Sequence, residues 1–108
     1  MKNGERFLAK KDTVMWLLAE NHCGSHNAIK ATDIKSKVGV SAVELRSIVN
    51  ALRQEEIPIC SDENGYYFAG SVSDVRSTIN HLDARIKGIK KATYGLKMWV
   101  HYAELGDE

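Results

Sequence analysis

The chain has 108 residues, of which 44% are apolar and 27% charged. That is the composition of one globular domain with at most an appendage, and it excludes a wholly disordered chain. Fifteen Lys and Arg against fourteen Asp and Glu leave a net charge of +1, which excludes a global field for polyanions and confines any nucleic-acid binding to local patches.

Residues 1–11 are polar and basic and read as a flexible N-terminal arm. Asp12-Thr13, ahead of Val14, Trp16, Leu17 and Leu18, predicts a helix over about 13–21. Its run Val14–Ala19 is the longest apolar stretch and is far too short to span a bilayer. The N-terminus lacks the apolar segment of a signal peptide. No membrane partner is therefore expected, and the location expected is cytoplasmic. The two cysteines, Cys23 and Cys60, do not make a disulfide framework, which fits a reducing compartment.

His22 to Asn27 reads as a loop. His22, Cys23 and His26 lack the Cys-x-x-Cys spacing that structural zinc sites bring, so no metal is expected. Residues 28–31 are short enough for one edge strand. Thr32 is placed to cap a second helix through Val38, with Gly39 as its left-handed stop. Ser41-Ala42-Val43-Glu44 fits a capping box. Behind it Leu45, Ile48, Val49 and Leu52 form an apolar stripe on a helix over about 42–55. Arg46, Ser47, Asn50, Arg53 and Gln54 are left facing outward.

Two β-prone runs, Ile57–Ser61 and Tyr66–Ala69, flank Asn64-Gly65 and predict a hairpin. Ser71 and Asp74 then imitate a capping box. Val75, Ile79, Leu82, Ile86, Ile89, Thr93, Leu96 and Val100 follow at alternating spacings of four and three, a heptad seam on a long helix over residues 71–108. Six basic residues between 75 and 103 (Arg76, Arg85, Lys87, Lys90, Lys91, Lys97) face Asp83 alone, and all lie off the seam. The chain shows no nucleophile with an orienting acid and no phosphate-cradling glycine loop, so neither catalysis nor a cofactor is expected.

The order helix, short strand, helix, glycine turn, helix, hairpin over residues 12–70 resembles a winged helix-turn-helix domain. The match is carried by Thr32–Ser41, Leu45–Arg53, Ile57-Pro58-Ile59-Cys60-Ser61 and Gly65-Tyr66-Tyr67. It looks like the winged-helix domain of the biotin-repressor type and like small prophage winged-helix proteins. The resemblance implies a mainly α fold with a small β-hairpin, and double-stranded DNA as partner in a bacterial or phage-infected bacterial cell. It implies that helix 42–55 enters the major groove, with Arg46, Ser47 and Asn50 on base edges and Ala42 and Val43 on thymine methyls. Ser41, Lys30, Lys35, Lys37, Arg53 and Asn64 complete the expected DNA-binding set. The wing tip departs from the pattern: Asp62-Glu63 stand where a phosphate-binding wing carries Lys or Arg. Over 28–56 the five basic residues meet four acidic ones, a balance that asks for help from avidity. The seam, with Trp99 beside it, is expected to dimerise the chain, the alternative being that the helix folds back over Trp16, Leu17 and the domain's own core. The rival expectation is an adaptor that holds another protein through the C-terminal helix.

Overall fold

The computed structural model describes residues 3–106. Residues 1 and 2 of the expected arm, and the acidic Asp107 and Glu108, lie outside the described residues. The chain divides into two compact units, Met1–Thr78 and Ile79–Glu108.

The first unit begins with helix α1 (Asn3–Asn21). This corrects the expected arm, since residues 3–11 are helical. Phe7, Val14 and Leu18 recur at intervals of seven and four, so they share one face, and that face packs into the core. The polar first turns are held from outside the helix. Lys10 Nζ donates to the Gly39 carbonyl at 2.8 Å, and Lys11 Nζ reaches the Glu55 carboxylate at 2.6 Å. A single 3₁₀ turn at Ser25–Asn27 leads to α2 (Ala31–Val38), whose N-cap is Lys30 rather than the expected Thr32. Gly39 ends α2 in the left-handed conformation, at φ 75°.

Helix α3 (Ala42–Gln54) starts on the expected capping box. The Glu44 amide donates to Ser41 Oγ at 3.1 Å, and the Ser41 amide donates to Glu44 Oε1 at 3.2 Å. Leu45, Ile48, Val49 and Leu52 are all buried against Val14, Leu18, Ile29, Ile34, Val40 and Ile59. The helix closes with Glu56 at φ 66°, and the Ile57 amide returns to the Leu52 carbonyl at 3.0 Å. This is a Schellman-type end with glutamate in the position glycine favours.

Strands β1 (Ile59–Asp62) and β2 (Gly65–Phe68) pair antiparallel, Asp62 opposite Gly65 and Ile59 opposite Phe68. The two-residue loop is therefore Glu63-Asn64, one residue earlier than the expected Asn-Gly turn. The other edge of β2 is also occupied. Ile29 and Tyr66 exchange both backbone hydrogen bonds at 2.9 Å, and Cys23 forms a bridge with Phe68. The expected edge strand at 28–31 is thus a single bridge at Ile29. Gly65 makes that approach possible: a Cβ there would lie 2.2 Å from the Ile29 carbonyl oxygen.

Helix α4 runs without a break from Val72 to Gly106. Ser71 Oγ accepts from the Asp74 amide at 3.2 Å, and Asp74 Oδ2 accepts from the Gly70 amide at 2.9 Å, one residue further back than in a capping box. The first turns belong to the first unit. Thr78 is buried, and its hydroxyl oxygen accepts from the Ser61 amide of β1 at 3.3 Å. The sequence boundary at 70/71 therefore falls ahead of the compact one, at Thr78. The second unit is the remainder of α4.

Candidate nucleic-acid interface

Helix α3 has two faces with different fates. With 100° per residue, Leu45, Ile48, Val49 and Leu52 fall together and are buried. Val43, Arg46, Ser47, Asn50 and Gln54 fall within a 100° arc on the opposite side, and all five are exposed. Ala42 is exposed too, but falls about 40° outside the arc, towards Val49. None of the side chains of Arg46, Ser47, Asn50 and Gln54 has a hydrogen-bond or ion-pair partner among the described residues. The arc therefore offers one guanidinium, two amides, a hydroxyl and an exposed valine, 64% accessible, on a rigid capped helix.

The start of that helix is fixed by groups the sequence reading did not single out. Lys10 holds the Gly39 carbonyl and also lies 3.9 Å from Glu44. Glu44 accepts the Ser41 amide, and this hydrogen bond chiefly holds its carboxyl below the usual range, with Lys10 and Arg6 adding to the effect. Ser41 is engaged in the cap. Arg6 is exposed and electrostatically close to the first turn of α3. The signal was present in the sequence as basic residues four apart at 6 and 10, which share a helix face once α1 starts early enough.

The remaining expected contact residues separate into two groups. Lys35 and Lys37, in the last turn of α2, make no hydrogen bond or ion pair among the described residues; Lys37 is exposed and Lys35 half-buried. Lys30, Arg53 and Asn64 are tied into the fold instead. Lys30 Nζ donates to the Glu63 carbonyl at 2.7 Å, so it holds the hairpin tip. Arg53 is half-buried, with Nε on the Ile59 carbonyl at 2.8 Å and Nη2 on Ser61 Oγ at 3.2 Å. These bonds place its guanidinium against β1 and away from the exposed arc of α3. The Asn64 amide nitrogen donates to Asp62 Oδ1 at 2.8 Å, and its side chain reaches Ser25 Oγ at 3.5 Å.

Asp62 is tied in with them. Its carboxylate accepts from Ser25 Oγ and from the Asn64 amide, so it closes the hairpin turn. Of the two acidic residues at the tip, only Glu63 is exposed.

In the loop that suggested metal, His22 Nδ1 lies 2.7 Å from the Asn27 carbonyl and Cys23 Sγ lies 3.6 Å from the Ala69 carbonyl. Among the described residues no three His, Cys, Asp or Glu side chains gather as a metal site. Burial pushes the Cys60 thiol and the Tyr67 hydroxyl up from their ordinary pKa values; the two pair across the hairpin and are buried beside Thr78. Among the described residues no helix is long and apolar enough to cross a membrane.

The expected interface residues of α4 differ in exposure. Val75, in the first unit, is half-buried, as is Leu82 in the second. Ile79, Ile86, Ile89, Leu96, Trp99 and Val100 are exposed, Leu96 and Trp99 each to 70%. A shallow apolar groove lies among Thr93, Leu96, Lys97 and Val100.

No family model, no curated protein and no solved structure matches the chain.

Proposed function

We propose that this chain is a winged helix-turn-helix protein that binds double-stranded DNA sequence-selectively, and that it acts without catalysis as a small regulator of transcription or a replication-origin binder in a bacterial or phage-infected cytoplasm. In this reading α2 and α3 are the helix-turn-helix, α3 lies in the major groove, and the β1–β2 hairpin is the wing. The observation that carries it is the exposed arc of α3. Arg46, Ser47 and Asn50 project without intramolecular partners from a helix whose first turn is locked by Ser41, Glu44 and Lys10.

Each residue type has a physical match. Arginine pairs with the O6 and N7 of guanine, and asparagine with the N6 and N7 of adenine. Val43 supplies an apolar contact for a thymine methyl. Arg6, Lys35 and Lys37 are the candidates for phosphate contacts. Lys30, Arg53 and Asn64 are removed from that set, because their polar groups already serve the hairpin.

A second reading, an adaptor for another protein, draws on the exposed apolar stripe of α4. A fluorescence anisotropy titration of random-sequence duplex DNA at 50 and 200 mM NaCl separates the two. A DNA-binding chain binds at low salt and loses affinity steeply as salt rises, because neutralised phosphates release counterions. Absence of binding at low salt removes the DNA reading and leaves the adaptor.

A further inference from the structure

We propose that the helix from Ile79 to Ala103 is one strand of a parallel, two-stranded coiled coil formed with a second copy of this chain. The proposal rests on α4 alone and stands apart from the DNA reading. The heptad register assigns Ile79, Ile86, Thr93 and Val100 to position a, and every one of them is β-branched. Position d holds Leu82, Ile89, Leu96 and Ala103. Among parallel coiled coils, β-branched residues at a with leucine at d favour two strands, whereas isoleucine at both favours higher order. Two of the four d positions, Ile89 and Ala103, depart from leucine.

The seam is open to receive a partner. Ile79, Ile86, Ile89, Leu96 and Val100 are all exposed. At these exposures the five residues offer roughly 500 Å² per chain, and two copies would remove about 1,000 Å² from water, at the lower limit of about 1,000 Å² for a specific interface. A seven-residue repeat drifts by about 20° per heptad on a straight helix, so two copies keep their seams in contact by winding left-handed. The one polar seam residue raises no obstacle. Thr93 Oγ1 already donates to the Ile89 carbonyl of its own helix at 3.0 Å, so a dry seam leaves no hydroxyl proton unbonded.

The flanks supply a signature. In a parallel pair a g residue meets the partner's e residue five positions on. Arg85 at g then meets the partner's Lys90 at e, and the two-fold axis repeats this like-charged contact. Salt screens that repulsion, so dimerisation strengthens as salt rises. Docking of an acidic partner helix on the same basic flank would weaken with salt.

Sedimentation equilibrium of the intact chain at 50 and 500 mM NaCl tests the assembly. The expected result is a monomer–dimer equilibrium several-fold tighter at the higher salt, and dissociation by Ile86→Asp. A monomer at tens of micromolar in both buffers, or a trimer, overturns the proposal. Orientation is read by mild oxidation of Leu82→Cys and Leu96→Cys, each in a Cys23→Ser background. A parallel pair cross-links each variant to its own twin. An antiparallel pair sets d against a, so a dimer in which neither variant cross-links overturns the parallel arrangement.

Discussion

Arg53 sits immediately beside the exposed arc of α3, next to Gln54, and its sequence position suits a phosphate contact, yet its hydrogen bonds predict a different loss. Arg53→Met keeps most of the aliphatic stem and removes the donors to the Ile59 carbonyl and Ser61 Oγ. A hydrogen bond from a charged donor contributes about 1.5–3 kcal/mol when buried, and the half-exposed setting here brings the pair to about 1–2 kcal/mol. In a unit of this size that lowers the unfolding midpoint by about 5–15 °C. The assay pairs thermal unfolding, followed by circular dichroism, with DNA anisotropy at a temperature where both proteins are folded. The expected outcome is a lowered midpoint with DNA affinity within about twofold of the parent, since the guanidinium is engaged by β1. An unchanged midpoint with a tenfold loss of DNA affinity would refute this assignment and return Arg53 to the interface.

Glu63→Lys is expected to strengthen binding to random duplex DNA and steepen the salt dependence by about one counterion; Asp62 is left in place because its carboxylate closes the turn, and salt titrations that superimpose would place the tip away from DNA. Glu56→Gly is expected to stabilise the first unit by about 0.5–1 kcal/mol in urea unfolding, because glutamate there is held at φ 66° where glycine is unstrained. Glu44 has a lowered pKa in the folded chain, so its charge contributes stability above its ordinary value of 4.5. That contribution is lost as pH falls through the folded value. The midpoint difference between the parent and Glu44→Gln should accordingly shrink from pH 7 to pH 3, and a constant difference would contradict the assignment.

Local chemistry was the legible part of the fold. Ser41 and Glu44 stand three residues apart and form the box they suggest, Gly39 takes the left-handed stop, and the period of Leu45, Ile48, Val49 and Leu52 delivers the buried face of α3. The first turns of α1 were not legible. Residues 3–11 lack an apolar period, and their helix is held by Phe7, packed against the core, and by lysines whose partners, Gly39 and Glu55, are 29 and 44 residues away. The same distance hides the partners of several expected contact residues. A lysine or arginine next to a helix-turn-helix pattern looks alike whether it faces solvent or holds a carbonyl. Lys30 finds its partner 33 residues on, at Glu63. Asp62 reads as surface charge until Ser25 is brought to it by the bridges along β2. The outward arc of α3 was legible because helical period alone places Arg46, Ser47 and Asn50 opposite the core.

The central claim is that this arc reads base edges, and selection of binding sites from a random duplex library tests it most directly, with the intact chain and Arg46→Ala run in parallel. The account predicts a short enriched motif for the parent that contains a guanine, and loss of preference at that position in the variant, at a cost of about 1–3 kcal/mol on the parent's site. An intact chain that enriches no motif, or an Arg46→Ala chain that enriches the same motif with undiminished affinity, would contradict it.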